Sequence, residues 1–303
     1  MLAICGGVAI ASTMDAIVKW ISGTYPLHEA LIIRSLVALP LVIWIARRAT
    51  ARPNFFDRHT PRSLLRGLIL CSAYIAFVLS IATMPIADSV AIYFTMPFFV
   101  AGLAYPVLGE RVQLHRWLAI IAGFVGVIIM LDPSSDVFEP AAFFALYSAF
   151  GYALGQMMGR DIARHVPPTV MAFHQNIVYL AVAAVLVAIS YSFDFSGVTH
   201  KSLSFLLRQW VMPAWSDLLL MCLLGAMASC GMILFGTAYK LAESSFVAPF
   251  EYSSMIWAVL FGFLLFGDIP GLHTVAGGII VISAGLFMLW MDRARDRRQP
   301  QGA

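Results

Sequence analysis

The chain has 303 residues, of which 61% are hydrophobic and only 12% charged, and its mean hydropathy is +0.86. Soluble domains carry about 25% charged residues, so this composition excludes an ordinary soluble enzyme, and a formal net charge of +3 leaves no broad basic face for nucleic acid. Disorder is excluded by the same numbers, and long unbroken apolar runs in place of roughly ten-residue alternating strands exclude a transmembrane barrel; what remains is an all-α polytopic membrane protein.

Ten runs reach the length of about 20 residues that a helix needs to cross a hydrocarbon core: 2–22, 27–47, 64–83, 86–108, 114–131, 139–159, 168–191, 216–238, 244–266 and 271–291. Most connections are short, which makes successive spans antiparallel hairpins; the long ones are 48–63 and 192–215. No basic segment precedes the first run, so it reads as a span and not as a cleaved signal.

Span 1 carries Ser12, Asp15, Lys19 and Ser22 three or four residues apart, one polar stripe on one helix face. A charge at mid-bilayer costs at least about 2.5–3.5 kcal/mol on insertion scales, so each such charge is a functional candidate. Asp15 and Lys19 pair on this face, or Lys19 reaches the outer interface. Span 2 contributes Arg34, which lies as far beyond the turn between Thr24 and Tyr25 as Asp15 lies before it. At one rise per residue both sit at one depth, which predicts an Asp15–Arg34 ion pair joining spans 1 and 2. Span 3 offers Tyr74, and span 4 offers Tyr93 and Phe94 just before Pro97, a helix-breaking position.

Span 6 has Ser148, Tyr152 and Gln156 on one stripe with Tyr147 beside it, and its Gly151, Gly155 and Gly159 repeat the small-residue spacing that admits a close neighbouring helix. Span 7 contains His174-Gln175-Asn176, which together cover too wide an arc to face one site and read as interhelical hydrogen bonds. Tyr239 closes span 8. Span 9 brings Pro249, the carboxylate of Glu251, Tyr252 and Trp257. A helix discontinuity beside an ionisable group at depth is a pointer to a transport site, and the aromatic rings offer faces for a flat substrate or a cation. Cys5, Cys71, Cys222 and Cys230 all fall in apolar runs without metal-ligand spacing, so neither metal nor cofactor is expected.

The Lys and Arg residues orient the spans. Fifteen fall on one side, in the loop after span 2, after spans 4, 6 and 8 and in the tail 292–303; only Lys201 and Arg208 fall on the other. This asymmetry predicts cytoplasmic termini in a bacterial-type inner membrane.

The chain also reads as a duplication. Ala87-Asp88-Ser89 matches Ala242-Glu243-Ser244, Gly109-Glu110 matches Gly267-Asp268, and His115 matches His273. An offset of 141 sets Asp15 on Gln156, Lys19 on Arg160 and Arg34 on Gln175. Because amides replace both charges, the second copy is expected to hold a Gln156–Gln175 contact. The copies are 1–131 and 139–291, five spans each. An odd number of spans per copy makes the repeats inverted, a recurring plan of secondary transporters.

This pattern resembles the EamA unit, two copies of which build the ten-helix drug/metabolite transporter superfamily. Within it the chain is similar to bacterial exporters of aromatic amino acids and related metabolites, with S-adenosylmethionine carriers as close competitors. The resemblance implies a cavity among spans 1, 3, 4, 6, 8 and 9, with spans 5 and 10 peripheral. From Ala242 to Gly267 the second copy is three residues longer than from Ala87 to Gly109, which suggests a bulge near Pro249. The expectation is a transporter exporting aromatic or other apolar amino acids by alternating access, with a small-molecule substrate, the bilayer and protons as partners and Asp15 or Glu251 as the proton-coupling carboxylate. Uptake or exchange of an S-adenosylmethionine-like metabolite is the second reading. No hydrolase, zinc-protease or nucleotide-binding motif supports an enzyme or an ATP-driven pump, and no filter-like segment supports a channel.

Overall fold

The structure is a computed structural model that describes residues 2–49, 53–96, 98–100, 102–103, 114–131, 141–193, 201–241 and 254–296. Those residues form eleven α-helices and no strand: α1 (Leu2–Ser22), α2 (Leu27–Ala49), α3 (Thr60–Thr83), α4 (Ile86–Tyr93), α5 (Leu114–Leu131), α6 (Ala141–Ile162), α7 (Pro168–Ser192), α8 (Lys201–Leu207), α9 (Trp215–Leu241), α10 (Ser254–Phe261) and α11 (Leu272–Asp296). Three of them, Leu27–Arg48, Thr60–Thr83 and Pro168–Ser192, are by themselves long and apolar enough to cross a membrane.

Local chemistry sets the boundaries. Pro61 and Pro168 sit in the first turns of α3 and α7, where a missing N–H is lost without penalty. A π-helical turn, Gly262–Phe266, extends α10 and ends at Gly267, whose φ of 70° is left-handed and suits a residue without Cβ. Arg48 lies 4.6 Å from the ring of exposed Trp44 at the end of α2, an aromatic-plus-basic pairing typical of a membrane interface.

The helix α8 was not expected, since its seven residues are too few for a span. It forms because Phe205 is buried among Ile21, Leu27 and Ile81 and Ser202 Oγ donates to the Leu79 carbonyl at 3.0 Å. The segment after it is pinned to the α1–α2 turn: Arg208 Nη1 donates to the Gly23 carbonyl at 2.9 Å, and Tyr25 Oη donates to Asp217 Oδ2 at 2.7 Å.

The helices pack in related pairs. α3 lies on α6 and α1 on α9; α2 lies on α7, α5 on α11 and α4 on α10. The glycines of span 6 serve this packing. A Cβ added at Gly155 would lie 2.5 Å from Leu70 Cδ2, and one at Gly151 would lie 3.0 Å from Ala73 Cβ, both on α3. Gly225 of α9 is less forgiving, because the nearest obstacle is main chain: an added Cβ would lie 2.6 Å from the carbonyl oxygen of Arg34. Gly225→Val is therefore expected to cost about 1–3 kcal/mol of overpacking. The check is thermal unfolding in detergent, where an unchanged Tm would mean that α2 and α9 are not in close contact.

Candidate functional site

The mid-sections of α1, α2, α3, α6 and α7 bring one group of polar and aromatic side chains together. Arg34 of α2 is its centre. Its guanidinium carbon lies 4.7 Å from the ring centroid of Tyr74 on α3 and 5.3 Å from that of Tyr179 on α7. The two rings stack on each other, 5.6 Å apart and 26° from parallel. Tyr179 Oη donates to the Leu70 carbonyl at 3.4 Å and accepts from Gln175 Nε2 at 3.2 Å. Asp15 of α1 lies within electrostatic reach of Arg34 and Tyr74.

A second aromatic group adjoins the first. Tyr93 of α4 meets Tyr152 of α6 edge-on at 5.7 Å and Phe77 of α3 at 5.4 Å. Gln156 Nε2 donates to Tyr152 Oη at 2.6 Å. Arg66 of α3 links the two groups: its charge acts on Tyr152 and Tyr179, and its Nε donates to the Gly155 carbonyl at 3.0 Å. Arg34, Tyr74, Tyr93, Tyr152, Gln156 and Gln175 are each half-buried, a state suited to side chains that border open space inside a bundle.

Several expectations need correction. Asp15 and Arg34 do not form a direct ion pair: among the described residues the ion pairs are Lys19–Asp268 and Arg62–Asp161. The guanidinium is held by the tyrosine faces instead, which supply π-density without demanding the approach of a helix-1 carboxylate. Gln156 and Gln175 do not meet each other either. Each amide reaches a tyrosine four residues away on its own helix, the shortest route to a partner on a helical face. Lys19 neither pairs with Asp15 nor turns outward. Its Nζ donates to Asp268 Oδ2 at 2.8 Å and to the Met84 carbonyl at 2.9 Å, and it lies 4.9 Å from the ring of Phe266. Phe94 is buried in the apolar core with Phe98 and Ile120. Tyr147 is exposed on the outer side of α6, its hydroxyl bonded to Ser72 Oγ at 3.0 Å. Trp257 stacks on Phe261 at 5.7 Å. The Pro97, Pro249, Glu251 and Tyr252 positions and the Tyr239 side chain lie outside the described residues.

The site includes residues not singled out from the sequence. Tyr179 is the main one; its signal was the four-residue spacing from Gln175. Arg66, inside the run 64–83, is the other. Arg34 and Tyr179 also place spans 2 and 7 at the centre, beyond the six spans that the resemblance implied. His174 fits its expected interhelical role: it is fully buried, and its ring nitrogens contact Ser63 Oγ at 2.9 Å and the Phe55 carbonyl at 2.6 Å.

The model of the EamA-like transporter family matches twice, over residues 1–132 and 139–291. The chain belongs to the EamA-like transporter family. It is 24% identical to an S-adenosylmethionine uptake transporter of Rickettsia prowazekii, over 86% of this chain and 80% of the relative. It is 28% identical to a riboflavin transporter of Vibrio cholerae, over 87% and 81%, and 25% identical to a pseudopaline exporter of Pseudomonas aeruginosa, over 90% and 89%. These relatives are transporters, not enzymes, and they are membrane proteins of bacteria. The protein is accordingly a membrane transporter of small metabolites within the drug/metabolite transporter superfamily.

Proposed function

We propose that this EamA-family transporter is a secondary carrier that moves a small, ring-bearing metabolite across a bacterial inner membrane by alternating access. The observation that carries this reading is the convergence of Arg34, Tyr74, Tyr93, Tyr152 and Tyr179 from five helices in a chain of a transporter family. Tyrosine faces bind flat rings through area and quadrupole together, and one buried cation gives such a site a polar pole. Export of an aromatic amino acid is the first substrate reading. An adenine-bearing metabolite is the second, favoured by the Rickettsia relatives, which are S-adenosylmethionine uptake transporters.

Alternating access rests on the two copies. If they are inverted, a pseudo-twofold axis in the membrane plane exchanges α3–α6 with α1–α9 and maps α2–α7, α5–α11 and α4–α10 each onto itself. The observed packing pairs are compatible with such an axis, which supports this reading. On this reading the Lys19–Asp268 bond, which ties the first copy to the second, closes one end of the carrier. In sequence, the same correspondence matches Lys19 to Arg160 and Asp268 to Glu110. With the termini cytoplasmic, the Lys19 end faces outward. Asp15 and Glu251 remain the carboxylates proposed to couple protons. Counterflow in proteoliposomes tests the carrier: a labelled metabolite accumulates against unlabelled internal substrate only if one site is exposed alternately to the two sides.

A further inference from the structure

We infer that Arg34 and Asp15 together form the subsite for the zwitterionic head of an α-amino acid, the carboxylate on Arg34 and the ammonium on Asp15, with the substrate's ring against the tyrosines. This rests on the carrier reading and narrows its substrate class to ring-bearing α-amino acids.

The argument begins with an unmet valence. Nε and Nη1 of Arg34 are buried and have no hydrogen-bond partner. Leaving buried donors on a charged group unpaired is costly, more so than for neutral groups; the Tyr74 hydroxyl meets only part of this guanidinium, and its two open nitrogens await an acceptor. Nε and Nη2 form the side-on docking edge of the guanidinium and Nη1 and Nη2 the end-on edge, so a two-oxygen anion meets one open nitrogen on either edge and shares Nη2. Its plane is already fixed by Tyr74 and Tyr179, 4.7 and 5.3 Å away, and such preorganisation lowers the entropy cost of bidentate binding.

Arg66, the neighbouring guanidinium, differs: its Nε is committed to the Gly155 carbonyl. Lys19 is likewise committed, to Asp268 and Met84. Asp15 supplies the opposite charge. It interacts electrostatically with Arg34 yet stays outside the 4.0 Å of an ion pair. Two opposite charges held near each other but apart are matched by a ligand whose own opposite charges sit on adjacent groups, and the carboxylate and ammonium of an α-amino acid share one carbon. The second copy carries Gln156 and Gln175 at the matching positions, each already bonded to a tyrosine. Of these matched positions only those of the first copy are charged, which suits one zwitterion.

The test measures binding of defined probes to the purified full-length transporter by ligand-induced thermal stabilisation. The probes are tryptophan, tryptamine, which lacks the carboxylate, indole-3-propionate, which lacks the ammonium, and S-adenosylmethionine with its decarboxylated analogue. Wild type should bind at least one of the amino acids at least tenfold more tightly than the corresponding decarboxylated compound. Arg34→Gln should bring that ratio near one while Arg34→Lys keeps part of it. Asp15→Asn should erase the preference for tryptophan over indole-3-propionate. A wild type that ignores the carboxylate, a folded Arg34→Gln protein that keeps the full ratio, or a failure of every amino-acid probe to bind would each overturn the subsite. Saturable counterflow of riboflavin without any flux of the amino acids would overturn the subsite and leave the carrier reading intact; no saturable flux of any of these compounds would remove both.

Discussion

Transport is expected to fall at least tenfold when Lys19→Cys and Asp268→Cys are bridged by a short bis-methanethiosulfonate reagent, and to return when the bridge is reduced. The native cysteines Cys5, Cys71, Cys222 and Cys230 are first replaced, so that only the new pair reacts. The reason lies in what Lys19 joins. Its Nζ sits 2.8 Å from Asp268 Oδ2 and 2.9 Å from the Met84 carbonyl, so one ammonium holds the end of α1, the α3–α4 turn and the segment after the π-helical turn together. The charges are partly shielded, with 14% and 28% of the two side chains exposed, which makes the pair stronger than a surface one and still breakable. An alternating-access carrier must break it once per cycle, and a covalent bridge prevents that. A bridged carrier that turns over at the full rate would mean that this end does not open.

Tyr74→Leu is expected to weaken substrate binding by roughly tenfold, and Tyr74→Phe to leave it nearly unchanged. Tyr74 acts through its ring faces, toward Tyr179 and toward the Arg34 guanidinium. An aromatic pair is worth about 0.5–1.5 kcal/mol beyond its area and a cation–π contact about 0.5–2 kcal/mol; together they reach the 1.4 kcal/mol that makes a factor of ten. Leucine fills the volume without the quadrupole, and phenylalanine keeps both. The readout is the KM for counterflow of each variant beside its Tm. Equal losses in Tyr74→Phe and Tyr74→Leu would assign the effect to the hydroxyl; unchanged KM in both would remove Tyr74 from the site.

The long helices were legible because an apolar run of about 20 residues has few other uses. The short α8 was not, since its helicity comes from the burial of Phe205 and from a bond to the Leu79 carbonyl, tertiary causes without a local pattern. At the site, polar stripes singled out Asp15, Tyr152 and Gln156, and isolated charge singled out Lys19 and Arg34. The sequence could not tell which charge meets which. Equal depth made Asp15 the obvious partner for Arg34, but depth says nothing of rotation about each helix, and α3 and α7 placed two tyrosine rings on the guanidinium first. Asp268 read as a turn residue because its partner lies 249 positions away. Tyr147 and Phe94 were aromatic residues at suggestive positions, yet one packs on the outer side of α6 and the other in the core.

The central claim is that one site, built around Arg34 and the tyrosines, is exposed to the two membrane faces in turn. Its most direct measurement is counterflow by the purified transporter in proteoliposomes loaded with unlabelled S-adenosylmethionine, tryptophan or riboflavin, with the same compound labelled outside. The account predicts transient, saturable accumulation of label for at least one of these, abolished by bridging the cysteines placed at 19 and 268 and restored by reduction. Flux that rises linearly with concentration, shows no transient overshoot and ignores the bridge would contradict it.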